Sequence, residues 1–241
     1  DAVMVTHVVV FANLNAALWD MNYWPHLNYN SDTGIKDHLQ LSIVDEAGAG
    51  QAHIVDAAIF IEAVNDRPVV RAARLETVSI TNKGEMQATG DGLSLVAVDV
   101  NDDALVTTED EALALLNLFT VRDVDSDAAL EVTVTTTRGT SAFTKDVADV
   151  VFLAPRAWAN GTRHYRDVGA STIVFLASEA KANALLASLV FTPQRDWHGK
   201  RGAAVQVACN DRGNVGRGGP LEHAQAVKIR VRAANDAPVI T

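Results

Sequence analysis

Hydrophobic residues at every second position dominate this chain. Leu39, Leu41 and Ile43 alternate with polar neighbours, as do Leu130, Val132 and Val134, and again Val205, Val207 and Cys209. Such runs predict strands that bury one face. Ile59 and Ile61, and later Ile229 and Val231, predict a strand just ahead of an Asn-Asp pair. Residues 76–81, 93–100, 113–121, 150–154 and 172–176 carry the same signal. One stretch follows a helical period instead. Ala182, Leu185, Leu186 and Leu189 fall on one face, and Ser178 stands where an N-cap belongs. Leu14, Ala17, Leu18 and Met21 repeat that face, and each helix feeds a strand ending at proline, Pro25 or Pro193. These helices are expected as crossovers packed on one edge, with the apolar stripe as core. Many short strands separated by Gly, Asp and Asn predict an all-β architecture of antiparallel sandwiches, each with one short crossover helix.

The alternation is organised as a repeat. Residues 14–69 and 182–239 are two copies of one pattern: Asn15 aligns with Asn183, Leu18 with Leu186, Tyr23 with Phe191, Pro25 with Pro193 and Tyr29 with Trp197. Asn65-Asp66-Arg67-Pro68-Val69 aligns with Asn235-Asp236-Ala237-Pro238-Val239. A repeat of this length implies a tandem array. Residues 1–69 are expected to form the C-terminal part of one module, and residues 70–241 a second module with an extended N-terminal segment, 70–108. Within that segment Gly84, Gly90, Asp91 and Gly92 mark turns between two strands, as an elaborated first strand or as an extra hairpin.

Composition narrows the functional classes. With 48% hydrophobic residues, the 241-residue chain can bury a core without staples. Its single cysteine, Cys209, aligns with Ile43 and is expected to be a buried apolar residue. A net charge of −10 argues against nucleic acid and anionic membrane as direct partners. No apolar run approaches a membrane span, and Asp1 does not open a signal peptide.

Acidic residues gather in particular loops: Asn65-Asp66, Glu109-Asp110-Glu111, Asp123-Val124-Asp125-Ser126-Asp127, Asn210-Asp211 and Asn235-Asp236. Calcium takes six to eight hard oxygen ligands, which Asp, Glu, Asn and loop carbonyls supply. Asp123 and Asp125, alternating at a strand end, repel one another unless a cation or solvent offsets them. The plain alternative is solvated turns, where Asp and Asn serve the backbone.

The order of these motifs resembles the cadherin-like module of very large extracellular proteins, such as bacterial repeat adhesins and protist surface or flagellar-hair proteins. The family's linker is matched by Val64-Asn65-Asp66-Arg67-Pro68 and Ala234-Asn235-Asp236-Ala237-Pro238, and its first-strand acidic motif by Thr108-Glu109-Asp110-Glu111. Asp123-Val124-Asp125 and the Asp211 that precedes a Gly-rich loop complete the order, leaving residues 70–105 outside it. The resemblance implies two calcium sites. Asn65, Asp66, Asp123, Asp125 and Asp211 would form one at the top of the second module. Glu109, Asn235 and Asp236 would contribute to another at its far end, and Asp45 is the first copy's counterpart of Asp211. The family's mid-module Asp-Arg-Glu motif is missing, which implies fewer ligands and weaker binding.

Other candidates carry less. The seven histidines are scattered without zinc-ligand spacing. Trp24, Tyr29, Trp158 and Trp197 offer rings for a sugar, but Tyr29 and Trp197 are equivalent repeat positions and read as packing. Asn160-Gly161-Thr162 is an N-glycosylation triplet, and the loop of Gly213, Gly216, Gly218 and Gly219 lacks the helix and lysine of a phosphate cradle. The expected function is therefore structural: a segment of an extracellular or cell-surface stalk, adhesin or filament, with neighbouring modules and lateral proteins as partners. A glycan- or protein-binding module using exposed aromatics is the alternative. No nucleophile–base constellation supports an enzyme.

Overall fold

The computed structural model describes residues 15–16, 18–34, 36–44, 53–73, 77–80, 86–88, 96–99, 103–125, 128–154, 169–213 and 215–236, with backbone alone between 77 and 99. It is mostly strands and separates into two compact units, residues 1–63 and 64–241.

In the first unit β1 (Asp37–Ile43) pairs antiparallel with β2 (His53–Ile59). The expected alternation is present in β1, but Leu39 and Leu41 are only half-buried and Ile43 is exposed. The strand expected to end at Pro25 does not form; residues 21–26 lie outside any strand. β2 stops at Ile59, and Ile61 instead exchanges hydrogen bonds with Ser31: Ser31 N donates to Ile61 O at 2.9 Å, and Ile61 N to Ser31 Oγ at 2.9 Å. A two-stranded sheet cannot bury both strands' apolar faces by itself. Among the described residues no further strand joins this pair, and its apolar face is less covered than the equivalent face of the second unit.

The second unit begins with β3 (Val69–Ala72), β4 (Thr77–Ile80), β5 (Met86–Ala88), β6 (Val96–Asp99) and β7 (Ala104–Thr108). There follow β8 (Leu113–Ala114), β9 (Phe119–Arg122), β10 (Leu130–Thr137), β11 (Gly139–Phe143), β12 (Val151–Ala154) and β13 (Thr172–Ala177). Helix α1 (Glu179–Leu186) leads to β14 (Leu189–Pro193), β15 (Gly199–Asn210) and β16 (Glu222–Arg232). A nine-stranded sheet runs β12-β13-β10-β15-β16-β7-β6-β5-β4, beside a three-stranded sheet β11-β14-β8 and the pair β3-β9. Among the described strands the pairings are antiparallel except β16 with β7, and an isolated parallel bridge joins Val64 and Arg217. The open question at 70–108 is answered by β3, which pairs with β9, and β7, which pairs with β16; β4, β5 and β6 lie between them in sequence and extend the large sheet. Gly84, Gly90, Asp91 and Gly92 lie outside the described residues.

The run at 113–121 is two strands, not one. Leu118 N donates back to Leu115 O, and Asn117 turns the chain at a φ of 55°. Helix α1 buries Ala182, Leu185 and Leu186 as expected, with Leu189 buried just beyond it. Ser178 takes the N-cap position in extended geometry without a side-chain cap bond; its carbonyl accepts from Ala182 N at 2.9 Å. One core joins all three sheets and the helix, drawing on Val70, Phe119, Val132, Phe175, Leu186, Phe191 and Val207. Cys209 is buried in it, and burial pushes its thiol up to about 12, helped by the charges of Asp123, Asp211, Glu179 and Glu222.

Both hairpins share one register. Ile43 faces His53 and Leu39 faces Ala57 in the first, as Cys209 faces His223 and Val205 faces Val227 in the second. The repeat therefore extends from residue type to cross-strand pairing.

Candidate functional site

At one end of the second unit, the segment entering β3 meets the loops after β9 and β15. Asp211 follows β15 and is 2% exposed. Its Oδ1 accepts from Gly213 N at 2.7 Å and Leu221 N at 2.9 Å, which closes the loop between β15 and β16 on itself. Gly213 sits at a φ of 65°, and a Cβ there would meet Pro220 N at 2.9 Å, so the tight loop requires glycine. Asp211 Oδ2 accepts from Asn65 Nδ2 at 2.8 Å, and the same amide donates to Gly219 O at 2.9 Å. Asn65 N completes the attachment by donating to Arg217 O at 3.0 Å.

Asp66 is tied through its backbone: its N–H donates to Asp125 Oδ2 at 2.5 Å. Asp125 N in turn donates to Asp123 Oδ1 at 3.1 Å, an Asx turn at the end of β9. Asp123 N donates to Glu179 Oε2 at 2.9 Å, which brings the first residue of α1 into the group. The five residues expected at this end, Asn65, Asp66, Asp123, Asp125 and Asp211, are thus gathered there. Glu179 joins them without a sequence signal, because its place depends on where the helix begins relative to β9. Asp45 lies outside the described residues.

The electrostatics are strained in one direction. Burial raises the Asp123 carboxyl above the usual carboxylate range; the Asp125 amide pulls it down, and the charges of Asp211, Asp125 and Glu179 push it up again. A raised folded-state value means the ionised form costs stability: the favourable contribution holds at low pH and is lost as pH rises through the folded titration. In chelator at neutral pH, Asp123→Asn is therefore expected to raise the unfolding midpoint, since Asn keeps the Oδ1 acceptor and drops the charge. The gain should shrink as the pH is lowered and wild-type Asp123 takes up its proton. A variant less stable than wild type at neutral pH would refute this account.

The opposite end has a different arrangement. Glu109 is buried, and its oxygens are spent: Oε1 accepts from Ala234 N at 2.7 Å, and Oε2 lies 3.3 Å from His198 Nδ1. Beside it the exposed carboxylates of Asp110, Asp196 and Asp236 each bring an oxygen within 4.8 Å of the others. Asp110 and Asp196 sit at φ of 69° and 56°, a backbone state that Asp tolerates better than most residues. Of the expected set, Glu109 fastens the outgoing chain, Asp236 joins a group with Asp110 and Asp196, and Asn235 is exposed. Turn chemistry concealed Asp196, which is isolated in the sequence from the other acids.

Trp197 packs at the core margin, with the Arg138 guanidinium carbon 5.8 Å from its ring centroid, in keeping with packing rather than ligand stacking. Trp158 and the Asn160 triplet lie outside the described residues. None of the described helices is long and apolar enough to cross a membrane. No protein-family model matches the chain, and no curated protein or solved structure matches it.

Proposed function

We propose that the chain is a non-enzymatic segment of a tandem array of cadherin-like or Ig-like β-sandwich modules. Its role is mechanical: a stalk, adhesive repeat or filament element outside the cell or at its surface, with neighbouring modules and lateral proteins as partners. The observation that carries this reading is that the chain is fastened to acidic residues where it enters and where it leaves one unit. Asn65 and Asp66 are bonded to Asp211 and Asp125 on entry, and Ala234 is bonded to Glu109 on exit. A module in a row holds both its entering and its leaving chain, as the two ends of this unit do by different contacts. The shared register of the two hairpins, and the parallel pairing of β7 with the last strand, support the same reading.

The entry cluster has the charge and donor types for calcium, but oxygens of Asp211, Asp125, Asp123 and Glu179 already accept hydrogen bonds. Among the described residues only Asp110, Asp196 and Asp236 bring three carboxylates within 4.8 Å of one another. Asp66, Asp123, Asp125, Glu179 and Asp211 offer hard oxygens, and Asp123 is raised chiefly by burial and further by its acidic neighbours. Asn65 would add an amide oxygen, and Asp110, Asp196 and Asp236, next to Glu109 and Asn235, form the corresponding set at the exit. The ion would neutralise the repulsion among these groups.

Thermal unfolding in excess calcium and then in chelator tests this. An ion bound to the folded state alone stabilises by about 2.7 kcal/mol at one hundred times its dissociation constant. A rise of several degrees is expected. An unchanged midpoint would reduce the acidic loops to ordinary turns and leave packing alone to hold the array.

A second reading has one specific observation in its favour. Trp19 and Trp24 of the first unit are 90% and 80% exposed, as a glycan- or protein-binding face would present them. Binding of a soluble glycan that Trp24→Ala abolishes would favour it.

A further inference from the structure

We propose that His223 is an acid-operated latch: its neutral imidazole holds the first strand of the 64–241 unit in place, and protonation releases that strand with the Asn65-Asp66 segment ahead of it. The argument starts from backbone bookkeeping along β3. Val70 stands opposite Val121 of β9. The peptide groups of Val121 are taken by Asn183 of α1, with Val121 N donating to Asn183 Oδ1 at 2.8 Å and Asn183 Nδ2 donating to Val121 O at 2.9 Å. Val70 and Val121 are therefore a non-hydrogen-bonded pair, and the Val70 N–H points away from β9. Val70 is 2% exposed, so this amide needs a protein acceptor. The acceptor is Nδ1 of His223 on β16, at 2.8 Å.

A ring nitrogen accepts only while it carries no proton, so this bond selects the neutral imidazole protonated at Nε2. Adding a proton to Nδ1 deletes the acceptor and sets two donors face to face. The Val70 amide is then buried without a partner, a costly state. Acid therefore weakens the seam between β3 and β16.

The histidine also recurs. His53 faces Ile43 across the first hairpin as His223 faces Cys209 across the second, and Asn15 aligns with Asn183. Both side chains that satisfy strand-edge peptide groups in the second unit thus stand at the same places in the first copy. The charged groups on the surrounding elements are Glu222, Lys228, Arg230 and Arg232 on β16, Lys200 and Arg201 on β15 with Cys209 in it and Asp211 beyond it, and Arg122 and Asp123 at the end of β9. Asp66, Arg67 and Arg71 lie on the β3 side, and β7 carries none. Arg67 Nε donates to Glu222 O at 2.6 Å, a further tie on the same seam that a proton on His223 leaves intact. The latch does not depend on ion binding and is tested in chelator.

The test is amide hydrogen exchange on the intact chain at about pH 8 and about pH 5, the interval in which histidines switch charge. Protection of Val70, taken relative to the Val132 and Val207 amides, is expected to fall about ten-fold in wild type. In His223→Asn, whose Oδ1 accepts at either pH, it should hold constant. Equal losses in both proteins would assign the effect to carboxylates such as Asp123 and overturn the latch, as would no loss in wild type. Nitrogen chemical shifts of the His223 ring give a check that needs no variant: a proton on Nδ1 at about pH 8 would overturn it as well.

Discussion

Asp211→Ala is expected to destabilise the 64–241 unit by about 3–5 kcal/mol, because one truncation strips three donors of their acceptor. Gly213 N, Leu221 N and Asn65 Nδ2 all end on this carboxylate, and Asp211 and Asn65 are both buried. Water cannot replace the lost oxygens without opening the loop between β15 and β16. Asp211→Asn should cost less, since Oδ1 still serves the two backbone amides, but its new Nδ2 faces the Asn65 amide donor to donor. The two variants therefore separate loop closure from linker attachment. Denaturant unfolding in chelator measures both, and a loss under about 1 kcal/mol for the alanine variant would mean that the loop closes without this carboxylate. If Asp211 also holds calcium, both variants should lose the calcium-dependent rise in midpoint.

The second large effect lies in the core. Phe175 is fully buried, edge-on to Phe143 at a centroid distance of 5.7 Å and tilted against Phe152 at 5.8 Å. It belongs to β13, which joins β10 to β12 in the large sheet, while Phe143 comes from β11 in the three-stranded sheet. Phe175→Ala removes a ring that bridges two sheets and is expected to cost about 3–5 kcal/mol. Exchange of the β10 and β15 amides should speed up throughout, because both strands share this core. A loss under about 1.5 kcal/mol would mean that the neighbouring rings collapse into the space. No change is expected in the hydrogen bonds of Asp211 or in any calcium response, which distinguishes packing from the end cluster.

Most strands of the second unit were legible because burial on one face imposes a period of two. Leu130, Val132 and Val134, and then Val205, Val207 and Cys209, are fully buried as their alternation required. Helix α1 was legible for the corresponding reason at a period of 3.6. The division of 113–121 into β8 and β9 was not, since Asn117 adopts a positive φ inside an apolar run. Neither was β11, whose Gly139 leaves room for the Thr192 carbonyl and the Phe191 ring, each within 2.5 Å of where a Cβ would stand. Among the acids, Asn65, Asp66, Asp123, Asp125 and Asp211 could be grouped from motif order. Glu179, Asp196 and His223 could not, because each reaches its place through contacts distant in sequence.

From its residues alone this chain determines an all-β framework, a repeated hairpin and the loops in which acids collect, since alternation, spacing and turn chemistry are local. Tertiary structure decides what those elements do. It buries the hairpin face at Val205 and Val207 while leaving the equivalent face at Leu39 and Leu41 half-covered, although both hairpins share one register. It also turns Asn183 and His223 into partners for the peptide groups of Val121 and Val70. Burial and hydrogen-bond satisfaction depend on which strands lie alongside, and that is a property of the assembled sheets rather than of any one segment.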